Sequence, residues 1–215
     1  MTPSRYKKIL QMLKHRQPSL TVVMENVHKA HNLAAIARTS DAAGIPEIHA
    51  ITRFDELNLT QDAASGSGRW VNVKTHTEIG DAYKHLKKKG FQLLTAHFNE
   101  QAKDFREIDF CLPTAIVVGQ ELDGLTDEAI ESADGSIIIP MYGMVQSLNV
   151  SVATAIILYE AQRQRHDAGM YEKSNPDEKF TNDFIFEKGY PRLAAKLREK
   201  GEPFPKLDDE GAILG

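Results

Sequence analysis

Residues 137–153 read IIIPMYGMVQSLNVSVA and contain a short strand, a tight loop and the start of a helix. The apolar run predicts a strand, which Pro140 and Gly143 interrupt. A long helix is then predicted from Ser147 to about His166. Its apolar residues form one stripe, which consists of Leu148, Val152, Ile156 and Tyr159. A buried strand that turns through a loop into a helix is the repeating unit of a parallel α/β sheet.

The same unit recurs along the chain. Short apolar and β-branched runs predict strands over 20–24, 47–52, 70–74, 91–96, 114–118 and 136–139. Helical periodicity and terminating residues predict helices between these strands, over 31–43, 77–89 and 126–132. Strands and helices that alternate in this way favour one parallel sheet flanked by helices. We therefore predict an α/β fold for the middle of the chain.

The two ends of the chain differ from this middle part. Residues 4–16 predict a helix that Pro18 stops, and residues 1–16 hold five basic and no acidic side chains. Beyond Gly169 the chain is rich in Lys, Glu, Asn, Pro and Gly, which predicts a tail with one helix near 191–200. The predicted organisation is a basic helix over 1–19, an α/β domain over 20–166 and an extension over 167–215.

Composition and missing fingerprints exclude several classes of protein. The 215 residues carry a net charge of −4 and one cysteine, Cys111, so no internal disulfide can form. Because the chain has no signal core and no apolar run of about 20 residues, we expect a cytoplasmic protein. Dinucleotide, P-loop and serine-hydrolase fingerprints are missing. His28 and His31 lack a third ligand at the usual spacing, so no metal site is expected.

Two further segments with polar residues each allow two interpretations. In NLAAIARTSDAAG, residues 32–44, Arg38 can clamp a phosphate or pair with Asp41, and the spacing alone favours the pair. In IVVGQELDGL, residues 116–125, a buried strand ends at Gly119, where either a ligand approaches the backbone or the chain merely turns. The helix start near Ser147 likewise suits a ligand or a simple N-cap.

In their order along the chain, these three segments resemble the SpoU-type branch of the SPOUT methyltransferases. The family patterns N-x-x-A-x-x-R-T, G-x-E-x-x-G and I-P-M-x-G followed by S-L-N-V-S-V-A match residues 32–39, 119–124 and 139–153. The resemblance covers about residues 20–160. It implies an α/β sheet whose C-terminal part forms a deep trefoil knot at about 95–152. It also implies a homodimer with its sites near the subunit interface.

The resemblance further implies S-adenosylmethionine as cofactor and methyl transfer to a ribose 2′-hydroxyl. The knot loops would hold the cofactor through Thr95, Ala96, Gly119, Gly124, Ile139, Met141 and Leu148. The implied catalytic residues are Arg38, Asn32, Glu121, Ser147 and Asn149. Asn32 would orient Arg38 or the ribose. Arg38 would either accept the hydroxyl proton or, still protonated, hold the substrate phosphate and stabilise the alkoxide.

Outside the three motifs, the chain is similar to the branch of the family that methylates guanosine 18 in the tRNA D-loop. The residues that carry this likeness are Tyr6, 17–18, 105–109, 159–165 and 169–171. The alternatives are a 2′-O-methyltransferase for rRNA or another tRNA position, and a non-catalytic RNA-binding protein. The short segment before the first strand favours tRNA, because rRNA members usually carry a separate N-terminal RNA-binding domain. No membrane or metal partner is expected. The predicted tRNA contacts are Arg5, Lys8, Arg16, Arg163 and Arg165, followed by the basic residues of 188–198.

Overall fold

The computed structural model describes residues 1–52, 70–120, 123–172 and 176–214, which form two compact units. The larger unit comprises residues 17–169, and the smaller unit joins Met1–Arg16 to Met170–Gly215. The basic N-terminal helix and the C-terminal extension, which are far apart in the sequence, therefore belong to one unit. No helix in the described ranges is long and apolar enough to cross a membrane.

One sheet forms the centre of the larger unit. Its described strands are β1 (Leu20–Glu25), β2 (Glu47–Ile51), β3 (Asn72–His76), β4 (Gln92–Ala96), β5 (Lys103–Asp104), β6 (Thr114–Val118) and β7 (Gly135–Ile138). Their order is β3-β2-β1-β6-β4-β7-β5, and every described pair is parallel, as predicted. The predicted strand bounds lie within two residues of these, and the very short β5 has no counterpart among the predicted strands.

The strand order determines which loops lie together. β6 lies between β1 and β4, and β7 then lies on the far side of β4. In register, Thr95 of β4 lies between Val117 of β6 and Ser136 of β7. Because the strands are parallel, the carboxyl ends of β1, β6, β4 and β7 meet along one edge of the sheet. The loops that follow these four strands are therefore neighbours.

Helices cover both faces of the sheet. The described helices of the larger unit are α2 (Ala30–Ala42), α3 (Ile79–Lys88), α4 (Asp127–Glu131) and α5 (Val150–Asp167). α2 packs against α5, and α3 packs against α4. Successive residues of β1 point into different core clusters, since Val22 packs in the cluster of Ile36 and Ile157 and Val23 in that of Leu86. Burial on both faces explains why the strands read as continuous apolar runs.

Helix α5 begins three residues later than predicted and turns a different face to the core. Asn149 is its N-cap, and the side-chain oxygen of Asn149 accepts a hydrogen bond from the Ser151 N–H at 2.9 Å. Only part of the predicted apolar stripe faces the core, because Ile156 packs against it whereas Val152 is 46% and Tyr159 is 53% exposed. Small and polar residues occupy part of the true core face, which a search for large apolar side chains overlooks. That face comprises Val150, Thr154, Ile157, Leu158, Ala161 and Arg165.

Three α-helices form most of the described part of the smaller unit, namely α1 (Pro3–Lys14), α6 (Glu178–Gly189) and α7 (Pro191–Lys200). α6 contacts both of the others, and Phe186 stacks on Phe204 with ring centroids 4.9 Å apart. The Met1 ammonium donates to the Tyr190 hydroxyl, which donates to the Gly211 carbonyl, both at 2.8 Å. The predictions of α1 and α7 are confirmed. The sequence pattern does not predict α6, because weak helix formers (Thr, Asn and Asp) interrupt its apolar residues.

Candidate active site

Three loops meet at the carboxyl edge of the sheet, after β4, β6 and β7. These three strands are adjacent and parallel, and their loops begin after Ala96, Val118 and Ile138. Ligands of open α/β sheets bind at this edge, where the strands deliver loops with free backbone groups. The residues that the resemblance assigns to the cofactor all lie on these loops or on the strand ends that precede them.

The loop after β6 is a tight turn that its two glycines make possible. The Gln120 N–H donates to the Gly124 carbonyl and the Gly124 N–H to the Gln120 carbonyl, both at 3.2 Å. A Cβ atom at Gly119 would overlap the Gly124 carbonyl, and Gly124 itself has φ +69°. Both positions therefore require glycine for the turn itself. Glu121, which the resemblance places in the catalytic set, lies outside the described residues.

The loop after β4 begins at a threonine whose side chain is already engaged. Thr95 is fully buried, and its hydroxyl donates to the Gly135 carbonyl at 3.2 Å and lies 2.8 Å from the Ser136 hydroxyl. The Asn99 amide donates to the same Ser136 hydroxyl at 2.8 Å. Ala96 is half-buried and packs against the core. These contacts fix the start of the loop to β7.

The loop after β7 is apolar and yet largely exposed. The predicted cofactor residues Ile139, Met141 and Leu148 are half-buried, whereas the predicted catalytic Ser147 is exposed. Large apolar side chains that stand clustered in solvent mark a surface that contacts another molecule. Three such residues follow Met141 closely, namely Tyr142 (96% exposed), Met144 (99%) and Val145 (61%).

Two asparagines from different motifs meet beside these loops. The Asn149 side-chain amide donates to the side-chain oxygen of Asn32 at 3.2 Å, across 117 residues of sequence. Asn32 is buried in the first turns of α2, and Asn149 caps α5. The side-chain oxygen of Asn149 also accepts from the hydroxyl of Ser151 at 2.6 Å. The structure thus brings together two of the residues that the resemblance placed in one catalytic set.

Arg38 lies further along α2 and is exposed. It follows Asn32 by six residues, which on a helix means about 9 Å along the axis and a different face. Helix geometry alone therefore does not bring the Asn32 amide to the Arg38 guanidinium, and the orienting role of Asn32 stays a prediction. No ion pair joins Arg38 to Asp41, so the pairing that the spacing favoured is wrong. Among the residues that the structure describes, the Arg38 guanidinium has no carboxylate partner.

Comparison with known protein families agrees with the motifs. Residues 19–159 match the model described as the SpoU rRNA Methylase family, and residues 163–215 match the one described as SpoU, rRNA methylase, C-terminal. The chain belongs to the SpoU methylase family. The first match includes every loop of the candidate site, and the family prediction made from the three motifs is confirmed.

Named relatives resemble this SpoU-family chain over most of its length. The tRNA (guanosine(18)-2′-O)-methyltransferase of Escherichia coli strain K12 is 54% identical over 215 residues, which is 99% of this chain and 94% of the relative. The protein of the same name from Thermus thermophilus is 48% identical over 176 residues, which is 82% of this chain and 91% of the relative.

Solved structures confirm the SpoU fold. The Aquifex aeolicus TrmH/SpoU tRNA modifying enzyme superposes with a TM-score of 0.81 at 38% identity, over 88% of this chain and 97% of that chain. The SpoU methyltransferase AviRb from Streptomyces viridochromogenes, solved in complex with AdoMet, superposes with a TM-score of 0.64 at 25% identity, over 70% and 59% of the two chains. The predicted α/β fold with a parallel sheet is therefore confirmed.

The structure separates the predicted tRNA contacts of the SpoU chain into accessible and inaccessible residues. Arg5 and Lys8 are exposed on α1, and Arg163 is exposed on α5. Arg16 and Arg165 are only 7% and 0% exposed, so the prediction that they contact tRNA is wrong. A phosphate backbone is bound by side chains that it can reach from solvent.

Arg165 is a structural residue of the core instead. Its guanidinium donates to the Phe110 carbonyl at 2.8 Å, the Gln17 side-chain oxygen at 3.2 Å and the Ser19 hydroxyl at 2.9 Å. It also donates to the carbonyls of Ser19 at 2.9 Å and Leu112 at 3.0 Å. The sequence does contain a signal, because Arg165 lies seven residues after Leu158 and so on the same face of α5.

One buried acid at the site edge is absent from the predicted site residues. Glu25 ends β1, is 2% exposed, and accepts hydrogen bonds from the N–H and the hydroxyl of Thr126. The signal in the sequence is a carboxylate that directly continues an apolar strand, since charged side chains are rarely fully buried without partners. The predicted strand ends one residue earlier, which leaves Glu25 in the connecting loop.

Three histidines cluster away from these loops, on β2, β3 and α3. Nδ1 of His49 lies 3.0 Å from Nε2 of His76, and the His85 ring lies 5.9 Å from the His49 ring. Burial, with smaller effects from His76, His85 and Lys74, lowers the pKa of His49 to about 4, although Glu47 opposes the shift. Burial is also the main reason why the pKa values of His76 and His85 are lowered, so the cluster consists mainly of neutral imidazoles near neutral pH.

Proposed function

We propose that this chain transfers a methyl group from S-adenosylmethionine to the ribose 2′-hydroxyl of guanosine 18 in the tRNA D-loop. The observation that carries the proposal is the hydrogen bond between Asn32 and Asn149 at the edge where the three loops meet. This hydrogen bond joins two separate motifs into one site. The relatives that this chain matches over most of their length are named for this activity.

The cofactor is proposed to lie against the loops after β4, β6 and β7. Gly119 and Gly124 leave no side chain at the two ends of the turn after β6, which suits close approach of a flat adenosine to the backbone there. When bound, S-adenosylmethionine supplies a methyl group that its cationic sulfur has already activated, so the proposed reaction needs no metal. The residues that would hold it are Thr95, Ala96, Gly119, Gly124, Ile139, Met141 and Leu148.

Arg38 is proposed to act on the substrate as a cation. Its guanidinium is exposed, and guanidinium groups keep their protons in proteins. The fork of N–H donors can bind the phosphate beside the target ribose and stabilise the negative charge that grows on the 2′-oxygen, while the hydroxyl proton leaves to water. Ser147 is proposed to contact the substrate or the cofactor loop, and Glu121 to hold the knot-loop backbone or the catalytic geometry. The Asn32–Asn149 pair is proposed to hold the start of α5 in place.

Single-turnover methylation tests the role of Arg38. We expect Arg38→Ala to lower the rate by about 10² or more, with little change in adenosylmethionine affinity, because the group acts on developing charge. Arg106→Ala, at another exposed arginine, is the control and should react at the normal rate. A near-normal rate for Arg38→Ala would exclude Arg38 from the mechanism. If Arg38 is instead the base, the rate of Arg38→Lys should rise with pH as the lysine loses its proton.

Mapping the methylated nucleotide tests the substrate. Unmodified tRNA and bulk rRNA are incubated with the protein and labelled adenosylmethionine, and the modified position is located by mass spectrometry. We expect the label at guanosine 18 of tRNA only. Label in rRNA, or at another tRNA position, would select the alternative methyltransferase, and no label together with tight RNA binding would select the non-catalytic RNA-binding protein.

The smaller unit is proposed to bind the tRNA. It carries 13 Lys and Arg against 10 Asp and Glu, a net charge of +3, while residues 17–169 carry 13 against 20, a net charge of −7. A polyanion is attracted locally to the basic unit even though the whole chain is acidic, because salt screens charges beyond about 8 Å. The exposed basic residues of α1, namely Arg5, Lys7, Lys8 and Lys14, are proposed as the main contacts.

A homodimer in the cytoplasm is proposed as the working form. The exposed apolar residues of the loop after β7 and the stripe of Val152 and Tyr159 on α5 support it, because a second copy can cover such surfaces. The reducing conditions that a lone cysteine suits support the compartment. Sedimentation equilibrium would reveal a monomer if the dimer proposal is wrong.

A knot at about 95–152 is also proposed. It is supported by the strand order, because β6 follows β4 in the chain but lies between β1 and β4 in the sheet, and β7 lies on the far side of β4.

A further inference from the structure

Glu25 is a buried carboxylate whose two oxygens both accept hydrogen bonds from one residue. Its Oε2 accepts from the Thr126 N–H at 2.9 Å and its Oε1 from the Thr126 hydroxyl at 2.8 Å, across 101 residues of sequence. Glu25 is 2% exposed. Taking a carboxylate out of water is unfavourable unless hydrogen bonds replace the lost hydration, and here both oxygens receive one.

Thr126 stands where the loop after β6 ends. The loop leaves β6 at Gly119, closes its turn at Gly124, and reaches α4 with Thr126 as N-cap, whose hydroxyl accepts from the Ala129 N–H at 3.2 Å. The Tyr83 hydroxyl, which is buried, donates to the Ala129 carbonyl at 2.8 Å and fixes the same helix. The far end of the loop is thus held from two directions.

The near end of the loop is held by the sheet. Val118 pairs with Met24, the residue directly before Glu25. The backbone of β1 therefore fixes the start of the loop, and the side chain of Glu25 fixes its end at Thr126. The same strand end therefore sets the span between Val118 and Thr126. Loop ends that are already held in place lower the entropy lost on binding a ligand.

We propose that Glu25 is a positioning residue for the cofactor, which acts through Thr126 to hold in place the end of the loop after β6, from Gly124 to Thr126. This inference rests on the proposed function, because it assumes that this loop contacts adenosylmethionine. A carboxylate suits the task better than an amide, since the –NH₂ of a glutamine would face one of the two Thr126 donors and leave it without an acceptor.

Calorimetry with adenosylmethionine on the full chain tests the inference. Glu25→Gln should raise the Kd and the KM for adenosylmethionine by about tenfold, with kcat and tRNA affinity changed by less than about twofold. Thr126→Val, which keeps the N–H and removes the hydroxyl, should raise the Kd by about threefold. Thr126→Ser keeps both donors and should bind normally. A residue that served folding alone would lower the melting temperature and leave these affinities unchanged.

Glu131→Gln is the matched control, because it makes the same change at an exposed carboxylate of α4. Equal adenosylmethionine affinity in Glu25→Gln and Glu131→Gln would overturn the positioning role. If Glu25→Gln does not fold, equal affinity in Thr126→Val and Thr126→Ser overturns it instead. Failure of the unaltered protein to bind adenosylmethionine would overturn the proposed function itself, which separates the two failures.

Discussion

Arg163 and Arg165 lie two positions apart on α5 and experience opposite environments. The Arg163 side chain is 59% exposed and pairs with Glu160 at 2.7 Å and Asp167 at 3.0 Å on its own helix. Arg165 is fully buried and donates to four residues outside the helix. Exposed pairs are screened by water, whereas removing a buried donor leaves several acceptors unsatisfied at once.

Replacing the buried arginine should therefore destabilise the protein far more than replacing the exposed one. We expect Arg165→Met to lower the free energy of unfolding by about 3 kcal/mol or more, because carbonyls and a hydroxyl lose their donor in the core. Arg163→Met removes the same charge from the same helix and should change it by a small fraction of that. Urea unfolding measures both. Similar losses for the two variants would contradict the structural role of Arg165.

The histidine cluster is a property of elements rather than of single residues. β2 and β3 are paired so that His49 and His76 share one side of the sheet edge, and α3 places His85 beside them. Burial lowers the pKa of His49 to about 4, and burial with nearby Lys74 lowers the pKa of His76. The folded protein consequently binds fewer protons here than the unfolded chain does between pH 6.5 and pH 4.

Stability should fall on acidification for this reason. The stabilising contribution of neutral His49 is complete above pH 6.5 and decreases as the pH falls toward 4, by about 2 kcal/mol between pH 7 and pH 5. His49→Gln, which cannot be protonated, should lose less free energy of unfolding over this range than the unaltered protein. His31→Gln, at an exposed histidine, should keep the normal slope. Parallel slopes for all three proteins would refute the explanation.

The elements are more predictable from the sequence than their arrangement. Strands such as Thr114–Val118 are found because burial on both faces leaves a continuous apolar run, which is local information. The position of β6 between β1 and β4 is not predictable, because pairing between distant strands leaves no trace in either segment. The contact of Asn32 with Asn149 depends on that same pairing, so the motifs name both residues but cannot bring them together.

At the scale of the whole molecule, the candidate active site and the exposed basic residues of α1 lie in different units. The candidate site lies in the unit of net charge −7, and the exposed basic residues of α1 lie in the unit of net charge +3. Association with a polyanion releases counterions in proportion to the phosphates that are neutralised, so the unit that binds can be identified from salt dependence. An acidic catalytic unit also limits non-specific attachment of RNA away from the basic surface.

Neutralising α1 should weaken tRNA binding and flatten its salt dependence. Four glutamines in place of Arg5, Lys7, Lys8 and Lys14 should lower the slope of log K against log salt by about 3. The control makes four equivalent changes on the other unit, at Lys84, Lys87, Lys88 and Lys89, which are exposed at the end of α3. Fluorescence anisotropy with tRNA at several salt concentrations gives both slopes. If the salt dependence becomes shallower in the control and stays unchanged in the α1 variant, the tRNA-binding surface lies on the larger unit instead.

The bond between the Met1 ammonium and Tyr190 joins segments 189 residues apart. On the ribosome, α1 emerges before its partner helix α6 and has to wait for it until the residues between them have been made. During that time the larger unit can fold behind it. The basic surface proposed to hold tRNA is therefore completed only after the sheet, and a chain broken off before α6 would carry a finished sheet without that assembled surface.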